Sequence, residues 1–155
     1  MPRIVAQHCA LIPAAPAAVY DVLRDYEIGH PAILPPEHFS RFEIEHGGRG
    51  HGSVIRYAFT ALGLTSLHRV VVREPDPGRR LVEMCPRTGT CTSFLVHAAE
   101  GGGTRLTIRT DYRVPGLRGL AMRALMPVTL RRIYAKQARN LVNLLGAGAP
   151  WPSLV

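Results

Sequence analysis

Apolar and polar residues alternate from Ile4 to Ile12, a pattern that predicts a strand, and Pro13 closes it. Behind Pro16, the residues Val19, Val22, Leu23 and Tyr26 recur at helical spacing, so a short helix is predicted over 16–26 with proline in its first turn. The stretch IGHPAILPPEHFS carries Pro31, Pro35 and Pro36, which argue against a regular helix interior and predict a long irregular connection over 28–40. Long ordered loops often form the rim of a site, so this one is the candidate mouth of a cavity.

From Arg41 to Val114 the chain reads as successive strands separated by GGRGHG, LG, EPDPG, RTG and EGGG. In SVIRYAFT, Ile55, Tyr57 and Phe59 share one face while Arg56 and Thr60 take the other. His68, Val70 and Val72 form a second inward set, Thr92, Phe94 and Val96 a third, and Leu106, Ile108, Thr110 and Tyr112 a fourth. Connections this short favour an antiparallel meander. After VPG the periodicity becomes helical from about Leu117 to Leu145, with Leu130, Ile133, Tyr134, Gln137, Leu141, Leu144 and Leu145 in one stripe. Pro127 is expected to kink or break this helix, and Gly146 to end it. Residues 1–146 are thus one domain, with 147–155 a flexible tail.

A strand, a short helix, a meander and one long helix predict an α+β domain whose curved sheet closes on the apolar stripe of the final helix. Such a layer pair often leaves space that its own side chains do not fill, which is where small-molecule sites occur. The strand phases and the helix stripe nominate Tyr26, Tyr57, Phe59, His68, Val70, Met84, Phe94, Tyr112, Tyr134 and Gln137 as ligand-binding residues. Aromatics would supply contact area, and His68, Tyr112 and Tyr134 would orient the ligand, although a core histidine satisfied by a neighbour is the plainer reading of His68. His8 and His97 fall in predicted strands, and His30, His38, His46 and His51 in predicted loops.

Composition narrows the function classes. In 155 residues, 46% are hydrophobic and 19% charged, the profile of a folded globular chain. The net charge of +8 is spread from Arg3 to Arg139 without a cluster, which argues against a nucleic-acid site. Arg131, Arg132, Lys136 and Arg139 lie opposite the apolar stripe and could face anionic lipid, but solubilising an exposed helix face is the favoured role. The odd set Cys9, Cys85 and Cys91, together with a start unlike a signal peptide and no long apolar run, points to a reduced, cytoplasmic protein.

Specific chemistry is sparsely marked. Cys85, Cys91 and His97 lack zinc-site spacing, so no metal is expected. Gly47, Gly48, Gly50 and Gly52 precede a strand rather than the helix that a phosphate loop requires, so no nucleotide cofactor is expected either. Ser53, Ser66 and Ser93 have no nucleophile-elbow context, and Asp21, Asp25 and Glu27 read as solvated acids.

The segments IPAAPAAVYDVLRDYE, HGGRGHGSVIRY, EPDPGRRLV and GGGTRLTIRTDY, in this order before a long final helix, resemble the polyketide cyclase/dehydrase branch of the START-like (SRPBCC) superfamily from Arg3 to Gly146. The resemblance implies a helix-grip fold, in which a curved antiparallel sheet of about seven strands wraps around the C-terminal helix, with short helices after the first strand. It also implies a hydrophobic tunnel, which different members use for lipids, sterols, aromatic polyketides or plant hormones. Binding of a small hydrophobic molecule, as carrier, sensor or store, is the leading expectation, with the protein a monomer or homodimer. The alternatives are a polyketide cyclase, aromatase or dehydratase using His68 or a tyrosine for proton transfer, and a lipid chaperone or partner-binding regulator using the basic final helix.

Overall fold

The computed structural model describes residues 3–114 and 119–146; the predicted tail over 147–155 lies outside the described residues. Strand β1 (Arg3–Ile12) leads into helices α1 (Pro16–Arg24) and α2 (Gly29–Ile33). Six further strands follow: β2 (Phe39–His46), β3 (Val54–Ala61), β4 (Leu64–Asp76), β5 (Arg80–Met84), β6 (Cys91–Ala98) and β7 (Thr104–Arg113). Helix α3 (Gly119–Gly146) completes the chain's regular structure.

The seven strands form one antiparallel sheet in the order β1-β7-β6-β5-β4-β3-β2. The meander therefore runs unbroken from β2 to β7, and β1 crosses to the far edge, where it pairs with β7 along Arg3–Ile12. Helices α1 and α2 link the two edge strands, while α3 packs against β1, α2 and α1. Between these layers lies a core that includes Ile12, Val19, Leu23, Ile55, Leu81, Leu106, Ile108, Ile133 and Leu141. This is the helix-grip arrangement.

Three local expectations need correction. The connection over 28–40 contains the helical turn α2 despite Pro31, because proline there occupies the first turn, where its missing N–H removes no intrahelical bond. Asp25 is fully buried rather than solvated, and its carboxylate accepts the backbone N–H groups of Glu27, Ile28 and Gly29 at 3.1 to 3.3 Å. It satisfies two donors of the turn between α1 and α2 and the first N–H of α2, fixing that turn. Finally, of the kink or break expected at Pro127 the break is absent: α3 is helical from Gly119 to Gly146 with Pro127 inside it, and Leu130, Ile133 and Tyr134 beyond it are buried in the core.

The glycine-rich segment joins β2 to β3, as its position before a strand predicts, but it also carries a packing role. Gly48 accepts the Tyr26 N–H and Gly50 donates to the Arg24 carbonyl, so the loop lies against the end of α1. At Gly50, with φ at +60°, an added Cβ would sit 1.9 Å from Glu74 Oε1 and 2.4 Å from Arg24 Nη2. A side chain there would displace the ends of Glu74 and Arg24 and would carry the strain of a positive φ, which glycine avoids.

Candidate functional site

A cavity of about 210 Å³ lies between the sheet and α3. Its apolar wall comes from period-2 positions on the inner face of the sheet, among them Ile55 and Phe59 on β3, Val70 on β4 and Phe94 on β6. Met126 and Leu130 close it from α3, Leu34 contributes from the segment after α2 and Phe39 from the start of β2. Of the ten nominated residues, Tyr26, Tyr57, Phe59, His68, Val70, Phe94, Tyr112, Tyr134 and Gln137 line this space.

Met84 does not. It is 45% exposed, because Leu81, Glu83 and Cys85 take the inner positions of β5 and its extension and strand alternation turns Met84 to the opposite face. His30 and Glu83 are the residues that sequence reasoning misses. The sequence pattern puts His30 in an irregular loop, whereas α2 buries it to 3% exposure; Glu83 carries no motif, although its phase with Leu81 puts a carboxylate on an apolar face.

These two meet Tyr26 in one buried cluster. The Tyr26 hydroxyl donates to Glu83 Oε1 at 2.7 Å, and His30 Nε2 lies 3.3 Å from the same oxygen. His30 Nδ1 is 2.8 Å from the Leu23 carbonyl, and since a carbonyl only accepts, Nδ1 carries a hydrogen. The imidazole is further held by stacking on Tyr26 at 4.5 Å and by the edge of Phe94 at 5.4 Å. Burial, reinforced by the Glu83 charge and hydrogen bond, raises the Tyr26 hydroxyl well above the usual phenol range, so it remains a donor.

A second polar row crosses the cavity wall. Thr92 Oγ1 and Thr110 Oγ1 are 2.8 Å apart, and Thr110 continues the row to the Tyr134 hydroxyl on α3. Near the β3–β4 edge, His68 stacks on Tyr57 at 5.4 Å, and its Nε2 is hydrogen-bonded to Ser66 Oγ at 2.8 Å. The plainer reading of His68 is therefore met on one ring nitrogen while the ring still lines the cavity. Burial, with a smaller contribution from Arg87, lowers the His68 pKa below 6.5 and favours the neutral ring.

Tyr112 is the exception to this bonding. Its hydroxyl is buried with no partner among the described residues, although Tyr112 lines the cavity. A buried hydroxyl left unpaired costs about 1–3 kcal/mol, a cost that a ligand acceptor would relieve. The ionisable groups of the described lining residues are carboxyl, imidazole, phenol and thiol, with no lysine or arginine. The described residues also hold no group of three metal-ligating side chains.

Comparison with known proteins places this geometry. Residues 3–146 match the family model described as polyketide cyclase/dehydrase and lipid transport. The solution structure of KanY is similar with a TM-score of 0.80 at 26% identity, covering 92% of this chain and 97% of KanY. TTHA0849 from Thermus thermophilus has a TM-score of 0.74 at 20% identity, covering 96% of this chain and 99% of its own. The Zhui aromatase/cyclase from Streptomyces sp. R1128 has a TM-score of 0.69 at 19% identity, with 92% and 93% covered. Among curated proteins, none matches. A helix-grip fold around this cavity and a family match over residues 3–146 make the chain a member of the polyketide cyclase/dehydrase and lipid transport family.

Proposed function

We propose that the protein binds a small, uncharged, largely apolar molecule of one or two rings that carries a hydroxyl or carbonyl group. The observation that carries this reading is the composition of the cavity wall: aromatic and aliphatic surface and, among the described residues, a Tyr112 hydroxyl without a partner and no lysine or arginine. Size sets the upper limit. A cavity of about 150 Å³ holds benzene, so one of about 210 Å³ suits one or two rings better than a phospholipid or a long polyketide chain.

Charge sets the second limit. A carboxylate ligand would be buried near Glu83 with no lysine or arginine among the described lining residues to offset it, whereas a hydroxyl or ketone needs only a hydrogen bond. Contact energy is modest at this size: burying roughly 250 Å² of apolar ligand surface at about 25 cal/mol per Å² yields about 6 kcal/mol before association costs. About 6 kcal/mol alone corresponds to tens of micromolar, and the association costs subtract from it, so weak binding, on the order of millimolar, follows.

Calorimetric titration with 2-naphthol and 2-naphthoate tests both limits on one carbon skeleton. The expected result is saturable binding of 2-naphthol and at least about tenfold weaker binding of 2-naphthoate, a difference of about 1.4 kcal/mol. Equal affinity for the two, or no heat with either, contradicts the reading.

A further inference from the structure

The three cysteines occupy different places on the sheet. Cys9 is exposed, and Cys91 takes the outer face because its neighbour Thr92 lines the cavity. Cys85 lines the cavity itself and is buried to 4% exposure, so an electrophile reaches its thiol by binding in the cavity first. Burial opposes ionisation of this thiol, but the Thr88 hydroxyl and the backbone N–H groups of Thr88, Arg87 and Arg69 outweigh it and hold the pKa below the usual value of 9.0.

A second group on the same wall indicates what such a thiol would meet. Tyr112 is 8% exposed, and its hydroxyl has no partner among the described residues. The strand register pairs Met84 with Cys91 and Cys91 with Asp111, while the Cys85 N–H donates to the Thr90 carbonyl. One step further along, Cys85, Thr90 and Tyr112 therefore form a single inner-face row, and all three line the cavity. Two strand spacings separate Cys85 from Tyr112, about 10 Å between backbones. A ligand lying along this row has a nucleophile at one end and a free hydrogen-bond donor at the other. A ketone conjugated to a carbon–carbon double bond matches both, since its electrophilic carbon and its oxygen stand at opposite ends of one short unit.

We propose that Cys85 is a covalent attachment site for a small cyclic α,β-unsaturated ketone held in the cavity, with the Tyr112 hydroxyl bonded to the ketone oxygen. The inference rests on the binding mode proposed above and narrows its ligand class. Sulfur forms a bond to the β carbon. The alkene π pair becomes a double bond between the α carbon and the carbonyl carbon, and the carbonyl π pair moves onto oxygen, where the Tyr112 hydroxyl stabilises it. The α carbon then takes up one proton, replacing the one that the thiol gave up. Thiol and enone thus combine into a saturated thioether ketone, with no atom lost and no co-reactant consumed.

The test is the time course of adduct formation with 2-cyclohexenone, followed by intact-mass and peptide mass spectrometry, with Cys9 of the same molecules as the internal standard. Cys85 is expected to gain the mass of one cyclohexenone at least about tenfold faster than Cys9, a small part of what a positioned pair can gain. Excess 2-naphthol is expected to slow addition at Cys85 and leave Cys9 unaffected. Tyr112→Phe is expected to lower the ratio of Cys85 to Cys9 labelling severalfold. If 2-naphthol binds by calorimetry but Cys85 reacts no faster than Cys9, the attachment site is overturned and the binding reading stands. An undiminished ratio in Tyr112→Phe, or labelling of Cys85 that bound 2-naphthol does not slow, also overturns the proposal. No heat with 2-naphthol refutes the binding reading itself.

Discussion

At the scale of single residues, the Tyr112 hydroxyl is where the proposed binding mode can be tested most simply. It is buried beside the cavity with no hydrogen-bond partner among the described residues, and burial raises its pKa above the usual phenol value, with Arg131 opposing. Tyr112→Phe removes the unpaired group while keeping the ring, so the ligand-free protein is expected to be as stable as wild type or more so by about 1 kcal/mol. The same change is expected to weaken 2-naphthol binding severalfold, because the ligand loses a hydroxyl partner. Urea unfolding and calorimetry on one preparation check both signs, and a large loss of stability would mean that the hydroxyl has a structural partner.

At the scale of elements, a hydrogen-bonded network fastens α1 to β4. Glu74 accepts the Tyr20 hydroxyl at 2.8 Å, pairs with Arg24 at 3.2 Å and accepts the His51 backbone N–H at 2.7 Å. Burial opposes ionisation of Glu74, but the hydrogen bonds from Arg24, Tyr20 and His51 outweigh it and lower the carboxyl pKa below 4.5. The unfolded chain therefore takes up this proton first as pH falls. The stability from the network is present above 4.5 and is lost as pH drops through the folded-state value. Glu74→Gln is expected to lower stability at neutral pH and to flatten the acid limb of the stability profile, measured by denaturant unfolding between about pH 3 and pH 7. An unchanged acid limb would remove Glu74 from that account.

Elements also show what sequence patterns can and cannot reveal. Period-2 alternation identifies the inner faces of β3, β4, β6 and β7, because polar residues such as Arg56, Arg69, Ser93 and Arg105 alternate in sequence with the inward sets. The stripe Leu130, Ile133, Tyr134, Gln137 and Leu141 locates the inner face of α3 for the same reason. β5 is only five residues long, and both of its faces hold buried residues, so alternation there is weak and puts Met84 on the wrong side. His30 escapes because three prolines around it mask a single helical turn, and its partner Glu83 lies 53 positions away. Such a pair exists only once β5 and α2 have been folded together.

At the scale of the whole molecule, the sheet and α3 enclose a largely apolar cavity, and Tyr26, His30 and Glu83 from the α1–α2 region and β5 place a polar cluster on its wall. No described helix is long and apolar enough to cross a membrane. Like the Zhui aromatase/cyclase, the chain places its long final helix against a curved sheet, but identity of 19% carries the fold and not the reaction. The separation matters because one container serves both binding and chemistry, and here the difference lies in a few side chains on its wall. A crystal structure of the protein soaked with 2-naphthol tests the central claim most directly. The account predicts planar density between Phe94 and Tyr134, with the hydroxyl within hydrogen-bonding distance of Tyr112 or of the Tyr26–Glu83–His30 cluster. Density for 2-naphthol only on the outer surface, with the cavity wall collapsed inward, would contradict it.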